Sequence, residues 1–369
     1  MTERTIPPQT LAHWLDDGAE LAIVDIRPAD ELFYYGAPLH GTNLPADQVE
    51  ANLIRTVPRK AVRTVLVDGG NGVAAALVEK LSHDGWSDLH ALEGGFPAWQ
   101  ESEFAKTHTH DIPGKEFSLA IKDERDTPVT TVEELKEARE KGEDVIVIDT
   151  RTVPEFTRNH VPGAVSVPGA ELLLRFTNVV PDATTKVVVS CAGLPRAVLG
   201  AQTLIDAGVP NPVSFLWDGT GAWKRAGWDL EEGLTAQYGP ATEESRAFGR
   251  EHIAKQPTAG QFPEIDLATA KAWAADADRT TYLLDVRTPE EYAAEHIDGS
   301  LSAEGGQLLG LSSRTIATRG ARLVLIDDAD GIRAATVANF LHRRRNFEIA
   351  ILRHAFAAVP AAGEVEAVA

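Results

Sequence analysis

A single cysteine, Cys191, in a chain of 369 residues excludes an internal disulfide and any multi-cysteine metal site. It also points to a reducing compartment. Positive charge is scarce: 35 Lys and Arg stand against 55 Asp and Glu, for a net charge of -20. That balance lacks the basic footprint that nucleic acid or an anionic membrane requires of a partner. A basic run, His342-Arg343-Arg344-Arg345, is short and reads as a solvated helix end rather than a binding patch. No apolar stretch approaches the length of a membrane span. The opening MTERTIPPQTLAHWLDDG has no apolar core of signal-peptide length, so the cytoplasm is the expected location.

What is present is enough for several cores. Hydrophobic residues make up 43% of the chain, an ordinary fraction for globular protein, and the length suits two or three domains. The organisation is an internal repeat. LAIVDIRPADELFYYGAPLHGTNLP (21–45), VIVIDTRTVPEFTRNHVPGAVSVP (145–168) and TYLLDVRTPEEYAAEHIDGSLSA (281–303) read alike. Each opens with an apolar strand ending in Asp-x-Arg, runs through an acidic stretch and reaches a glycine: Gly41, Gly163 or Gly299.

A second shared block follows each of these. It is RTVLVDGGNGVAAALVEKL (63–81), KVVVSCAGLPRAVLGAQTL (186–204) and RLVLIDDADGIRAATVANFL (322–341). Each is a β-branched run, a loop and a helix-period stretch. The spacing agrees: Asp25 to Asp68 spans 43 residues, while Asp149 to Cys191 and Asp285 to Asp327 span 42 each. A third block, LHALEGGFPAWQ (89–100) and VSFLWDGTGAWKRAG (213–227), fades in the last copy to IAILRHAFAAVP (349–360). Between copies, 102–127 is polar with no clear apolar period. Residues 231–262 hold Gly, Pro and scattered charge, with one short helix near Glu243–Ile253. Three units are expected, over 1–107, 125–235 and 258–369. Strands alternating with helical stretches predict α/β units, each a central parallel sheet flanked by helices.

These blocks resemble rhodanese domains, the sulfurtransferase fold. The resemblance rests on the Asp-x-Arg strand end, the HVPGA of His160–Ala164, the strand ending in a cysteine loop, and a downstream L-x-G-G-x-x-A-W signature. Leu92, Gly94, Gly95, Ala98 and Trp99 match that signature fully; Leu216, Gly219, Ala222 and Trp223 follow it approximately. The resemblance implies three tandem rhodanese-like domains with an active loop between a strand and a helix.

In the middle copy that loop is Cys191, Ala192, Gly193, Leu194, Pro195 and Arg196. Cysteine reacts as its thiolate. A loop leading into a helix directs unpaired amides and a positive dipole end at one spot. Cys191 there is expected to face this cradle and to ionise readily, with the other loop residues binding an anionic substrate. Cysteine-dependent phosphatases use a longer loop, whereas only four residues separate Cys191 from Arg196. The short loop resembles that of the sulfur-transferring rhodaneses. The implied reaction passes a sulfane sulfur from a small donor anion such as thiosulfate, through a Cys191 persulfide, to a thiol or cyanide. Gly193 lies one place earlier than the glycine of many small family members, and Leu194 fills that position, which leaves the donor open.

Other residues have supporting readings. Asp149 and Arg151 recur in every copy, which favours a structural ion pair. His160 is expected to orient a turn rather than act as an acid. Trp217 and Trp223 read as core or pocket wall. The outer copies carry Asp68 and Asp327 in place of the cysteine, and a carboxylate cannot accept a sulfane sulfur. DDADG in the third copy lacks the further ligands of a calcium loop, so no metal and no cofactor is expected. The silent copies would support the middle one or carry a protein partner. Two other readings remain: a non-catalytic binding scaffold, and a phosphatase-like activity that the short loop disfavours.

Overall fold

The computed structural model describes residues 4–31, 41–106, 114–180, 182–344 and 346–357. The expected loop after the first Asp-x-Arg strand, Arg345 and the last twelve residues of the third unit lie outside them. The middle unit forms a five-stranded sheet in the order Val129–Thr130, Val213–Leu216, Lys186–Ser190, Val145–Asp149 and Ala164–Ser166. Every pairing in it is parallel. Parallel strands are covered on both faces, which is why runs such as VIVID and KVVVS are almost continuously apolar. Asp149 lies in register with Ser190, so the Asp-x-Arg turn and the cysteine loop leave the sheet side by side at its carboxyl edge.

The third unit repeats this arrangement with Leu301–Ser302, Thr281–Asp285, Arg322–Asp327 and Glu348–Arg353, all parallel. The first unit orders Thr5–Ile6, Leu89–Leu92, Thr64–Val67 and Leu21–Asp25, with Thr42–Asn43 beside the last. A further strand on that edge comes from elsewhere in the chain. Thr318–Arg319 of the third unit pairs antiparallel with Ala22 and Leu21. Side chains reinforce the joint. Tyr282 Oη donates to the Thr56 carbonyl at 2.6 Å, and Glu20 accepts from Thr280 Oγ1 at 2.6 Å and from Arg59 at 2.7 Å.

The links are more structured than their composition suggests. Residues 102–127 contain a helix, Gly114–Arg125, that buries Phe117 and Ile121. Those two side chains join the core of the third unit with Tyr282, Leu308 and Phe340, while Leu119 packs into the middle unit. A helix held between two bodies needs only a narrow apolar stripe on each side, so no broad amphipathic face shows in the sequence. The second link carries its helix at Glu243–Ile253, capped by Thr242. Phe248 stacks on Phe176 of the middle unit at 5.2 Å, and Arg246 pairs with Asp328 of the third at 2.9 Å.

The basic run ends a helix, yet it is not freely solvated. Arg343 pairs with Glu124 at 2.6 Å, and Arg344 is buried with its guanidinium 5.0 Å from the Phe117 ring centre. No helix among the described residues is long and apolar enough to cross a membrane.

Candidate active site

Cys191 follows the last residue of the strand Lys186–Ser190, and the helix Pro195–Asp206 begins four residues later, with Pro195 in its first turn. The turn between them is fixed from below. Amides of Thr220 and Gly221 donate to the carbonyls of Cys191 and Ala192 at 3.0 and 3.3 Å. Gly219 adopts φ +43°, and a Cβ there would lie 1.8 Å from the Cys191 carbonyl oxygen. The glycine of the downstream signature thus permits a backbone contact that no side chain could share.

The amide of Gly193 donates to Cys191 Sγ at 3.4 Å, and the amide of Ala197 also favours its charged form. The sister units show what this cradle accepts. In the first, Asp68 takes hydrogen bonds from the amides of Gly70 and Ala74, both at 2.9 Å. In the third, Asp327 takes them from the amides of Asp328 at 2.8 Å and Ala334 at 3.0 Å, and from Arg333 Nε at 2.8 Å. Both carboxylates occupy the amides that an incoming anion would need. The same backbone design therefore holds a carboxylate in the outer units and a sulfur in the middle one.

One expectation about the middle site is corrected, the ready ionisation of Cys191. Cys191 is only 1% exposed, and burial pushes its thiol up. Arg196 and the amides of Gly193 and Ala197 pull the other way, and burial prevails, because an anion removed from water loses more solvation than this cradle returns. Arg196, expected to bind an anionic substrate, carries a counter-ion in the structure. Its Nη1 and Nη2 bind Glu155 at 2.6 and 2.9 Å. Burial pushes the Glu155 carboxyl up, but this fork reverses the effect and brings it to about 2. The crown of the loop remains open: Ala192 is exposed, Gly193 and Pro195 are half-buried, and Leu194 turns into the core.

Asp149 and Arg151 form a closed pair. Arg151 Nε and Nη2 bind the carboxylate at 3.0 and 2.8 Å, and its own amide donates to the same group at 3.0 Å. Asp25–Arg27 and Asp285–Arg287 repeat this arrangement. His160 is fully buried and stacks on Phe156 at 3.7 Å, with Nδ1 donating to the Phe156 carbonyl at 3.0 Å. His296 stacks on Tyr292 in the same way. Trp223 is core, its Nε1 donating to the Asp229 carbonyl. Trp217 is 41% exposed and lines a cavity of about 310 Å³ with Val132, Ala222 and Arg225; no residue of the 191–196 loop borders it.

Sequence reasoning missed Glu155. Its signal is present, since Glu31, Glu155 and Glu291 each lie six residues after the aspartate of Asp-x-Arg. Asp218 was missed as well. It replaces the first signature glycine at φ +53°, and its carboxylate lies beside Gly193 and pairs with Arg225.

Comparison with known proteins agrees with this geometry. The family model described as rhodanese-like domain matches residues 7–102, 131–226 and 267–361. The crystal structure of a thiosulfate sulfurtransferase from Pseudomonas aeruginosa is similar over 97% of this chain and 70% of that one. Its TM-score is 0.86 and its sequence identity 34%. An HTH-type transcriptional regulator of Mycobacterium tuberculosis is 36% identical over 111 residues, 29% of this chain. That match spans 46% of the regulator, less than half its length.

Proposed function

Since this chain belongs to the rhodanese-like domain family in all three of its units, we propose that it is a sulfurtransferase whose middle unit carries sulfur as a Cys191 persulfide. The observation that carries this reading is internal. The helix amide of Ala197 beside Cys191 corresponds to those of Ala74 and Ala334, which hold the carboxylate in the sister units, and the loop amide of Gly193 corresponds to that of Gly70 in the first. A cradle built for an anion suits a thiolate, and suits a persulfide still better because the outer sulfur carries the charge toward the loop crown.

With thiosulfate as donor, the Cys191 thiolate attacks the sulfane sulfur. The new S–S bond forms as the bond to the sulfonate sulfur breaks, and sulfite leaves with its electron pair. An acceptor thiolate or cyanide then attacks the outer sulfur and returns the Cys191 thiolate. The thiol proton must leave first. Burial holds that proton on the sulfur, so the first step is its release to water that reaches Cys191 beneath the open crown at Ala192 and Gly193. Glu155 keeps the Arg196 fork oriented beside the loop until a donor anion competes for it.

Exposure of the full chain to thiosulfate is expected to add one sulfur, about 32 Da, by intact mass, as a covalent intermediate requires. Cys191→Ser should take no sulfur. Survival of the adduct in that variant would overturn the assignment.

A second reading has an observation in its favour. The thiol is nearly sealed, and two of the three units carry aspartate at its position. A chain that acquires no sulfur from thiosulfate, mercaptopyruvate or a small persulfide, yet folds and holds a protein partner, would be a binding scaffold.

A further inference from the structure

Arg225 ends the short helix Gly219–Arg225 that fixes the cysteine turn from below. A basic residue in a helix's last turn ordinarily stays beside the last carbonyls or reaches into water. Arg225 instead folds back along the helix, and its Nη2 donates to the carboxylate of Asp218, which caps the other end. Asp218 holds a left-handed backbone, φ +53°. Aspartate tolerates that region, but glycine does so without strain. The side chains of Arg225 and Asp218 are 64% and 34% exposed, and a pair so open to water adds little to stability. A strained residue in such a pair points to a role other than folding.

The pair lies against the loop crown. A Cβ added at Gly221 would lie 3.2 Å from Arg225 Nη1, 3.3 Å from the Ala192 carbonyl oxygen and 3.7 Å from Asp218 Oδ2. One added at Gly193 would lie 3.4 Å from Asp218 Oδ1. Guanidinium and crown thus flank the space of a single glycine, beside exposed Ala192. Asp218 takes Nη2, while Nη1 has no hydrogen-bond partner among the described residues. Two other arginines of the site are buried and held, Arg196 by Glu155 and Arg151 by Asp149.

The sister units lack this pair. Leu92–Glu101 and Leu216–Arg225 align residue for residue, which places Gly94 at the position of Asp218 and Glu101 at that of Arg225. The third unit has His354 and Ala361 there. The cation accompanies the cysteine, and in the first unit, where aspartate replaces the cysteine, its counterpart has the opposite sign.

We propose that Arg225 receives the anionic group of the sulfur donor at the loop crown, with Asp218 setting the direction of its fork. This rests on the sulfur-transfer reading above. With Nη2 fixed by Asp218, the planar guanidinium offers the donors of Nη1 to an oxyanion, which the single ammonium point of a lysine could not do while paired. A thiosulfate held there by its sulfonate has its sulfane sulfur free to meet Cys191. The departing sulfite carries away the electron pair of the broken bond. Asp218 also acts against the donor, because its carboxylate lies beside Gly193 and repels the same anion.

Cys191 is the chain's single cysteine, so its reactivity reads the site directly. The full chain, Arg225→Gln and Asp218→Asn are compared at pH 8 and low salt by three rates. These are formation of the one-sulfur adduct from thiosulfate, and alkylation of Cys191 by iodoacetate and by iodoacetamide, reagents alike in size but unlike in charge. In Arg225→Gln the thiosulfate and iodoacetate rates should fall roughly tenfold, and less in high salt, as for a rim charge that guides an ion. The iodoacetamide rate should not change. Asn tolerates the left-handed backbone, and Asp218→Asn should raise both anion rates by roughly threefold on the same grounds. A pair that only braces the loop would give both variants the same sign and alter both alkylation rates alike; either result would overturn the role of Arg225. Thermal melts confirm that each variant is folded. Absence of any adduct in the unaltered chain, with the charge preference in alkylation intact, would instead overturn the sulfur-transfer reading.

Discussion

Arg333→Met is expected to destabilise the third unit by about 3–5 kcal/mol, the cost of removing one partner from a buried ion cluster. Arg333 is fully buried and is the cation at the centre of four carboxylates. It reaches Asp327 at 2.8 Å, Glu291 at 2.6 Å, Glu171 at 3.0 Å and Asp328 at 3.0 Å. Asp328 retains Arg246 and Glu171 retains Arg175, but Asp327 has no other side-chain cation within reach among the described residues. In the variant, Asp327 must stay ionised in the interior or take up a proton. Its folded-state pKa then lies further above its unfolded value. A carboxyl shifted upward binds more protons folded than unfolded, so stability falls as pH rises above the unfolded value. The loss of melting temperature should therefore be larger at pH 8 than at pH 5.5. A change within about 2 °C at both values, small on the scale expected for a few kcal/mol, would show that the cluster does not hold the unit together.

Gly219→Ala is expected to be the most damaging single-methyl change near the site. Its Cβ would lie 1.8 Å from the Cys191 carbonyl oxygen and 2.8 Å from the carbonyl carbon. Both are backbone atoms, so no side chain can swing aside, and relief requires moving the cysteine turn itself. The positive φ adds strain of its own. We expect a loss of roughly 2–4 kcal/mol, or a displaced loop with persulfide formation slowed about a hundredfold, as a shift of about an ångström in reacting groups can produce. Gly233→Ala supplies the control. It shares a positive φ, +92°, but nothing lies within 4 Å of its added carbon. Melting temperature and the rate of the one-sulfur adduct, measured for both variants, separate strain from collision. Equal effects in the two would deny the close approach any role.

Much of the architecture could be read from the chain because the repeat supplies its own comparison. Three Asp-x-Arg strand ends at matching distances from Asp68, Cys191 and Asp327 mark the sheets and loops in the sequence itself. Partnerships between elements were harder. The counter-ion of Arg196 went unread because Glu155 lies 41 residues away in sequence. The helix Gly114–Arg125 was hidden because its apolar face is divided between two bodies. The ionisation of Cys191 could not be inferred from loop chemistry, since it depends on how completely the surrounding fold excludes water.

The strand Thr318–Arg319 has a bearing on how the molecule can be dissected. It satisfies backbone groups of Leu21 and Ala22 that no described residue of the first unit covers there. A fragment ending ahead of residue 258 would lose Ala317 from the first unit's hydrophobic interior and lay bare a raw sheet margin, a template for self-association. The first copy is thus closed only when the third is present. Recombinant pieces cut at the visible repeat junctions would be prone to clump for a reason unrelated to sulfur chemistry.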